Sequence, residues 1–314
     1  MPLLKRKRVL AASIESTSGT IETLDAADAA INAFDVMPQA SIEFIPRPSQ
    51  GSFSSLPGTL GAYGGSLSFK TEITGDGAGG VPDWASTFLP ACGWVDSTGT
   101  FSPATEAPGS NVKTVTLGIY EDGMLKRLRG AVGSFKLMFT SGKIGIIEWN
   151  FMGVWQAPTD ATILAPTYPT DLPMRFANTT FTLGGSSPGC VETLEIDAGN
   201  SMALRPCPGN SDGSGYSAGI VLDRRVVGSM NPESQLVASN DHFGKWLSGT
   251  EEALSMVFDD GTDEITIAAP KVQRTNIQEG DRGGLQVDQI EFQCNKSAAA
   301  GNDELTIAFG ASPP

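Results

Sequence analysis

The clearest alternation of apolar and polar positions lies in residues 126–155. Phe135, Leu137 and Phe139 fall on one side of an extended backbone and Ser134, Lys136, Met138 and Thr140 on the other, the period-two signature of a strand buried on one face. Thr140-Ser141-Gly142-Lys143 interrupts the run and predicts a turn in which glycine supplies positive φ. In the return arm Ile147, Trp149 and Phe151 oppose Glu148 and Asn150, while Ile144 and Ile146 are out of phase, which predicts a β-bulge near Ile146. The stretch reads as a long hairpin with one apolar and one wet face.

This pattern occurs twice. Ile147-Glu148-Trp149-Asn150-Phe151 returns as Ile290-Glu291-Phe292-Gln293-Cys294, and the phase slip returns with it, because Leu285 and Val287 have the opposite parity to Ile290 and Phe292. The preceding elements repeat in order. In the first half, residues 41–47 read as a strand, 49–61 as a loop and 62–74 as a strand with Leu67, Phe69, Thr71 and Ile73 on one face. A short helix follows from Pro82, with Trp84 and Phe88 one turn apart and Pro90 limiting its length. Next come a loop over 96–109, a strand over 112–120 and the Glu121-Asp122-Gly123 turn.

The second half reads as strands over 175–183 and 191–197, a loop over 206–215, a strand over 217–228, a helix over 239–247 and a strand over 253–258. The Asp259-Asp260-Gly261 turn then leads into a hairpin over 264–296. Leu89 and Leu247 are 158 positions apart but Asp122 and Asp260 only 138, so the second copy is shorter by 20 residues where the first has its 96–109 loop. A tandem duplication of one β-domain accounts for the repetition. The expected organisation is an N-terminal arm and extension over 1–40, outside the core and holding a short helix over 25–31, then a first domain over 41–157. A linker over 158–173, stiffened by Pro158, Pro166, Pro169 and Pro173, leads to a second domain over 174–314.

Composition agrees with an all-β chain rich in turns: 37 Gly and 20 Pro in 314 residues, 40% hydrophobic and 18% charged. No apolar run is long enough for a membrane-spanning helix, and the basic cluster Lys5, Arg6, Lys7 and Arg8 lacks a following apolar segment, so neither membrane insertion nor a signal peptide is expected. Cys92, Cys190, Cys207 and Cys294 are scattered, which favours reduced thiols of a cytosolic chain over a disulfide framework. A net charge of −14 argues against a nucleic-acid-binding surface.

No constellation points to catalysis. Gly75-Asp-Gly-Ala-Gly-Gly80 has dinucleotide-loop spacing but follows an alternating strand, whereas such a fold needs a strand buried on both faces. Gly209-Asn-Ser211-Asp-Gly213 matches a nucleophile elbow but lies in a Pro/Gly/Ser loop, and His242 is the only histidine. The carboxylates over 259–264 leave Ca²⁺ binding open but lack calcium-loop spacing. No catalytic, cofactor-binding or metal-ligating residue is expected, and no cofactor.

Certain residues carry a family resemblance: Ile14-Glu15, Gly19-Thr20, the run from Asp25 to Ala30, Pro82-Asp-Trp84 with Leu89 to Gly93, and Leu128-Arg-Gly130-Ala-Val-Gly133-Ser-Phe135 ahead of the hairpin. In the second half Arg224 to Ser229, Gly280-Asp-Arg-Gly-Gly-Leu285 and Asp303-Glu-Leu-Thr-Ile-Ala-Phe309 complete it. The chain resembles the major tail tube proteins of long, non-contractile-tailed bacteriophages. That resemblance implies an all-β fold with short flanking helices, in which two tandem β-sandwich domains contribute long hairpins to a tube-lining barrel. It further implies homotrimeric rings with pseudo-sixfold symmetry, stacked into a virion tail tube that is assembled in the host cytoplasm and passes DNA without binding it. Tape measure and terminator proteins would be its other partners.

On this reading Lys136, Glu148, Asn150, Glu291 and Gln293 face the lumen, with carboxylates such as Glu148 offsetting Lys136 and Lys271. Lys5, Arg6, Lys7, Arg8, Gln50, Ser52, Phe53, Leu56, Asn210 and Ser211 serve ring stacking. The alternative is a secreted or surface tandem β-sandwich binding module, against which stand the missing signal peptide and the scarcity of loop aromatics.

Overall fold

The computed structural model describes residues 4–105, 113–177, 179–210 and 212–313. Strands β1 (Arg8–Ile14), β2 (Ala33–Arg47) and β3 (Leu56–Glu72) precede helix α1 (Asp83–Ala91). A short hairpin, β4 (Trp94–Ser97) and β5 (Thr100–Pro103), leads to β6 (Val115–Glu121), β7 (Met124–Thr140) and β8 (Ile146–Asp160). The second half holds β9 (Thr180–Leu183), β10 (Val191–Asp197), β11 (Asn200–Pro206), β12 (Tyr216–Arg224) and β13 (Val227–Pro232), then helix α2 (His242–Leu247). It ends with β14 (Glu251–Asp259), β15 (Asp263–Arg282), β16 (Leu285–Cys294) and β17 (Thr306–Ala311).

Among the described residues, fifteen of these strands form one antiparallel sheet, and β11 and β12 form a separate ribbon. Two pairing paths of the same order run through the large sheet. The first is β1-β6-β7-β8-β3-β2 and the second β9-β14-β15-β16-β13-β10. They join where β10 pairs with the far end of β7, Thr193 opposite Thr140 through Asp197 opposite Lys136. Beyond the end of β16, β17 continues along β15 and carries the β5-β4 hairpin at its outer edge.

The alternation read from the sequence decides which face is buried. Phe135, Leu137, Phe139, Ile147, Trp149 and Phe151 lie in the core with Leu67 and Phe69. Helix α1 closes this face: Phe88 sits 5.1 Å from both Phe69 and Trp149, ring to ring, and the Trp84 indole N–H donates to the Thr74 carbonyl at 3.1 Å. Burying rings of this size contributes most of the local stabilisation, on the order of 2–3 kcal/mol for each. The core is continuous between the two paths, with Phe139 and Phe258 stacked at 5.2 Å.

The structure departs from the sequence reading in particular places. No bulge lies near Ile146, which stands in regular register opposite Met138; the slips are at Leu125–Arg127 and Arg129–Val132 of β7 and at Arg274–Asn276 of β15. The out-of-phase apolar residues Ile144 and Ile146 are half-buried on the other face, where the Gly145 N–H donates to the Met174 carbonyl. Residues 8–14 are not an extension: β1 pairs along its whole length with β6 and buries Leu10 and Ala12. The 96–109 loop begins as β4 and β5, and its later part lies outside the described residues. The helix expected over 25–31 is one 3₁₀ turn, Ala27–Ala29.

Candidate functional site: a polar sheet face and its seam

The face opposite the aromatic core carries a row of polar side chains that crosses strands of both halves. Lys70 on β3 stands opposite Glu148 on β8, and Glu148 opposite Lys136 on β7. Across the junction Lys136 stands opposite Asp197 of β10, and its ammonium reaches diagonally to Glu195 at 2.5 Å. Glu195 then faces Ser229 on β13, Ser229 faces Glu291 on β16, and Glu291 faces Asn276 on β15. Strand alternation places Asn150 with Glu148, and Gln293 with Glu291, on this same face. The five residues singled out in the sequence are therefore brought together on one continuous surface.

Charges of both signs alternate from Lys70 through Glu148 and Lys136 to Glu195, and beyond the junction the row is acidic and neutral. Lys136 pairs with Glu195 and Lys271 with Glu251 at 3.0 Å, so the offsetting carboxylates are not Glu148, which lies between Lys70 and Lys136 across the strands. Arg225 donates to the Gln293 side-chain carbonyl at 3.0 Å. Between the halves these groups line an open groove of about 370 Å³ that includes Lys136, Glu195, Asp197, Arg225 and Glu291.

Beside this face the β11-β12 ribbon of the second half lies over β7 and β8 of the first, and its lock is Arg129. The guanidinium donates from Nε to Asp212 at 3.0 Å, and from Nη1 to the carbonyls of Gly19 at 2.8 Å and Ser217 at 2.6 Å. Burial pushes the Asp212 carboxyl up, but the Ser214 N–H and hydroxyl and the Arg129 cation outweigh it and hold it at about 2. Gly130, at φ +56°, lets the ribbon close in: a Cβ there would come within 2.8 Å of the Ala218 Cβ. Under Arg129, the buried Glu15 carboxylate accepts from the N–H groups of Gly19 and Gly130, both at 2.6 Å, and from the hydroxyls of Thr114 and Thr116. Sequence reading picked out Glu15, Gly19 and the Leu128-Arg-Gly130 run but not this role, since the ribbon that Arg129, Gly19 and Gly130 meet, and the Thr114 and Thr116 hydroxyls that Glu15 binds, are distant in sequence.

The residues assigned to stacking fall in three places. Lys5 and Arg6 are exposed ahead of β1, whereas Lys7 pairs with Asp122 at 2.7 Å and Arg8 donates to the Val36 carbonyl at 2.7 Å, so the second half of the basic cluster is anchored. Gln50, Ser52 and Phe53 are exposed at the tip of the β2-β3 hairpin, with Leu56 at the start of β3. Asn210 is in the tip of the β11-β12 ribbon, donating to the Tyr216 carbonyl at 2.6 Å; Ser211 lies outside the described residues.

The motifs with catalytic spacing have structural employment. Gly77 and Gly79 donate to the Asp263 carboxylate at 2.9 and 2.7 Å, so this glycine loop grips a side chain of its own chain. Asp259 and Asp260 accept from the backbone N–H groups of Gly261, Thr262 and Asp263 and hold the turn; the Ser312 hydroxyl, and then the Gly261 N–H, keep the Asp259 carboxyl below its ordinary range. His242, the first residue of α2, is buried with Nδ1 3.2 Å from Arg274, which itself pairs with Glu252 at 2.7 Å. Burial, and then the Arg274 charge, hold that imidazole below its usual pKa. Among the described residues, no group of three or more His, Cys, Asp or Glu side chains could hold a metal.

A protein-family model described as phage tail tube protein matches residues 6–295. No curated protein matches the chain.

Proposed function

We infer the layout of a ring and its lumen from the fact that this chain belongs to the phage tail tube protein family. The protein is a non-enzymatic structural component of the virion tail, and proteins of this kind self-assemble into rings. Membership displaces the alternative of a secreted or surface binding module. In our reading each chain supplies two tandem tail-tube units, over 41–157 and 174–314, joined by 158–173, with β1 and the start of β2 from Ala33 completing the first. The equal order of the two pairing paths supports this division. Three chains then make a ring of six units, and rings stack through the exposed β2-β3 tip and the neighbouring loops. Assembly takes place in the host cytoplasm, and tape measure and terminator proteins bound the tube.

The observation that carries the reading is the continuous polar row from Lys70 through Glu148, Lys136 and Glu195 to Glu291. A strand face rich in uncovered polar groups suits a water-filled lumen, while its aromatic face is closed by α1. Because Lys136 is paired with Glu195 and the chain is acidic overall, a DNA phosphate passing this wall meets little uncompensated positive charge to bind. Purified protein examined by negative-stain electron microscopy and sedimentation over a wide concentration range tests the assembly. Rings or tubes are expected, and a monomer at every concentration contradicts it.

A further inference from the structure

The junction inside the chain is a template for a junction between chains. In the first half, β7 is covered by β6 along residues 124–131 and then, on the same edge, by β10 of the second half along 136–140. Its counterpart β15 is covered by β14 along 264–273, but among the described residues that edge has no strand partner over 276–281. The counterpart of β10 is β2. β10 is flanked by β13 and β7, whereas among the described residues β2 pairs with β3 alone. The chain therefore leaves over one copy of each edge that it joins internally, and the two belong to opposite ends of its sheet path.

The ribbon repeats this relation. β10 and β11 lead into β12 and β13 as the two arms of β2 and β3 do, and the β11-β12 ribbon is seated on the first half with Ala218 buried, Gly219 against Val132, and Arg129 locked to Asp212. Among the described residues the corresponding part of the β2-β3 hairpin has no such cover: Ile42 is 51%, Phe44 62% and Leu60 66% exposed. On the second half, the surface equivalent to the ribbon's seat is an open groove of about 540 Å³ beside Arg224, Arg225, Gln293 and Asn295.

We propose that the edge of β15 over 276–281 pairs antiparallel with the edge of β2 over 33–37 in a second copy of this chain, the Val36 carbonyl staying bonded to Arg8 within the β2 bulge, and that the copy's β2-β3 hairpin lies over this groove. The inference rests on the ring reading above. Register follows from the internal junction. Glu148 and Glu291 are equivalent, so Lys136 corresponds to Asn276, and Asp197, through β13 and β3, to Met37. Lys136 opposite Asp197 thus becomes Asn276 opposite Met37 of the neighbour, and Met138 opposite Glu195 becomes Gln278 opposite Phe34. An interface of this head-to-tail kind joins different surfaces of identical chains and closes into a ring when its rotation permits. It also hides the long, apolar hairpin edge that would otherwise invite disordered pairing.

Disulfide trapping tests the seam. In a Cys190→Ser, Cys207→Ser background, Met37→Cys is combined with Asn276→Cys, and separately Phe34→Cys with Gln278→Cys, since directly paired strand residues bring Cα atoms within disulfide range. Assembled protein oxidised in this way should run on non-reducing gels as covalent species of up to three chains, while each single variant and the out-of-register pair Ile42→Cys with Asn276→Cys stay monomeric. Rings seen by microscopy in which neither designed pair links, or in which the out-of-register pair links as well, overturn the seam but leave the ring reading standing. Wild-type protein that forms no ring at any concentration overturns both.

Discussion

Arg129 of β7 and Asp212 of the β11-β12 ribbon are ion-paired across the junction of the two halves, Nε to carboxylate at 3.0 Å, with only 6% of the Arg129 side chain exposed. The partners are 83 residues apart, and the pair fixes the ribbon over the Gly130 backbone. Asp212→Ala leaves the guanidinium buried with the Gly19, Ser217 and Tyr216 carbonyls as acceptors but no counter-charge. Breaking a fully buried pair costs about 3–5 kcal/mol. Asp212 is a quarter exposed, so a loss of about 2 kcal/mol is expected. Urea unfolding measures the loss, and hydrogen exchange should localise faster opening to residues 200–224.

The Ser214 hydrogen bonds on Asp212, together with the Arg129 pair, set an acid limit. An Asp at about 2 in the fold and 3.8 in the unfolded chain has a depressed pKa, so its contribution is fully present above about pH 4 and is lost as pH falls toward 2. Carbon-detected NMR of the Asp212 carboxyl should give a midpoint near 2. A midpoint near 4 would mean that the ribbon is not held as described.

Much of this was legible in the sequence. Period-two alternation identified the buried side of β7 and β8 residue by residue, from Phe135 to Phe151, and the recurrence of the Ile-Glu-aromatic pattern located β16. The i, i+4 spacing of Trp84 and Phe88 identified the buried stripe of α1. What stayed hidden depends on partners that alternation does not encode. β1 looked like an extension because its short apolar run, Val9 to Ala12, gains meaning only beside β6. The bulge was misplaced because Ile144 and Ile146 sit half-buried on the face opposite Trp149, with Ile146 in regular register, so their apolar character marks no slip. Lys136 was matched to Glu148, its neighbour across the hairpin, although its ion pair is with Glu195, which pairing across the junction supplies.

Reversing the wall charge should slow DNA passage. Glu148→Lys with Glu291→Lys keeps strand geometry, since the first side chain is half-buried and the second exposed on the polar face. It adds positive charge to every ring, which attracts phosphate. Particles carrying both substitutions should assemble but eject DNA slowly at low salt, with the defect relieved at high salt. Normal ejection at low salt would place these residues outside the DNA path.

Removal of the hairpin tip should separate ring formation from tube growth. Phe53 is fully exposed and Gln50 and Ser52 lie beside it, so deleting residues 50–56 removes no core contact. Its expected phenotype is folded protein that forms rings but not tubes, measured by circular dichroism and microscopy. Full-length tubes from the deletion would assign stacking to another surface, with the Lys5 to Arg8 segment next.

The most direct measurement is an electron cryomicroscopy reconstruction of assembled tubes at a resolution that shows side chains. The account predicts three chains per ring, with Lys136, Glu148, Glu195 and Glu291 lining the lumen and α1 on the side away from it. A reconstruction with the polar row on the outer surface, or with a ring that is not built from three chains, would contradict it.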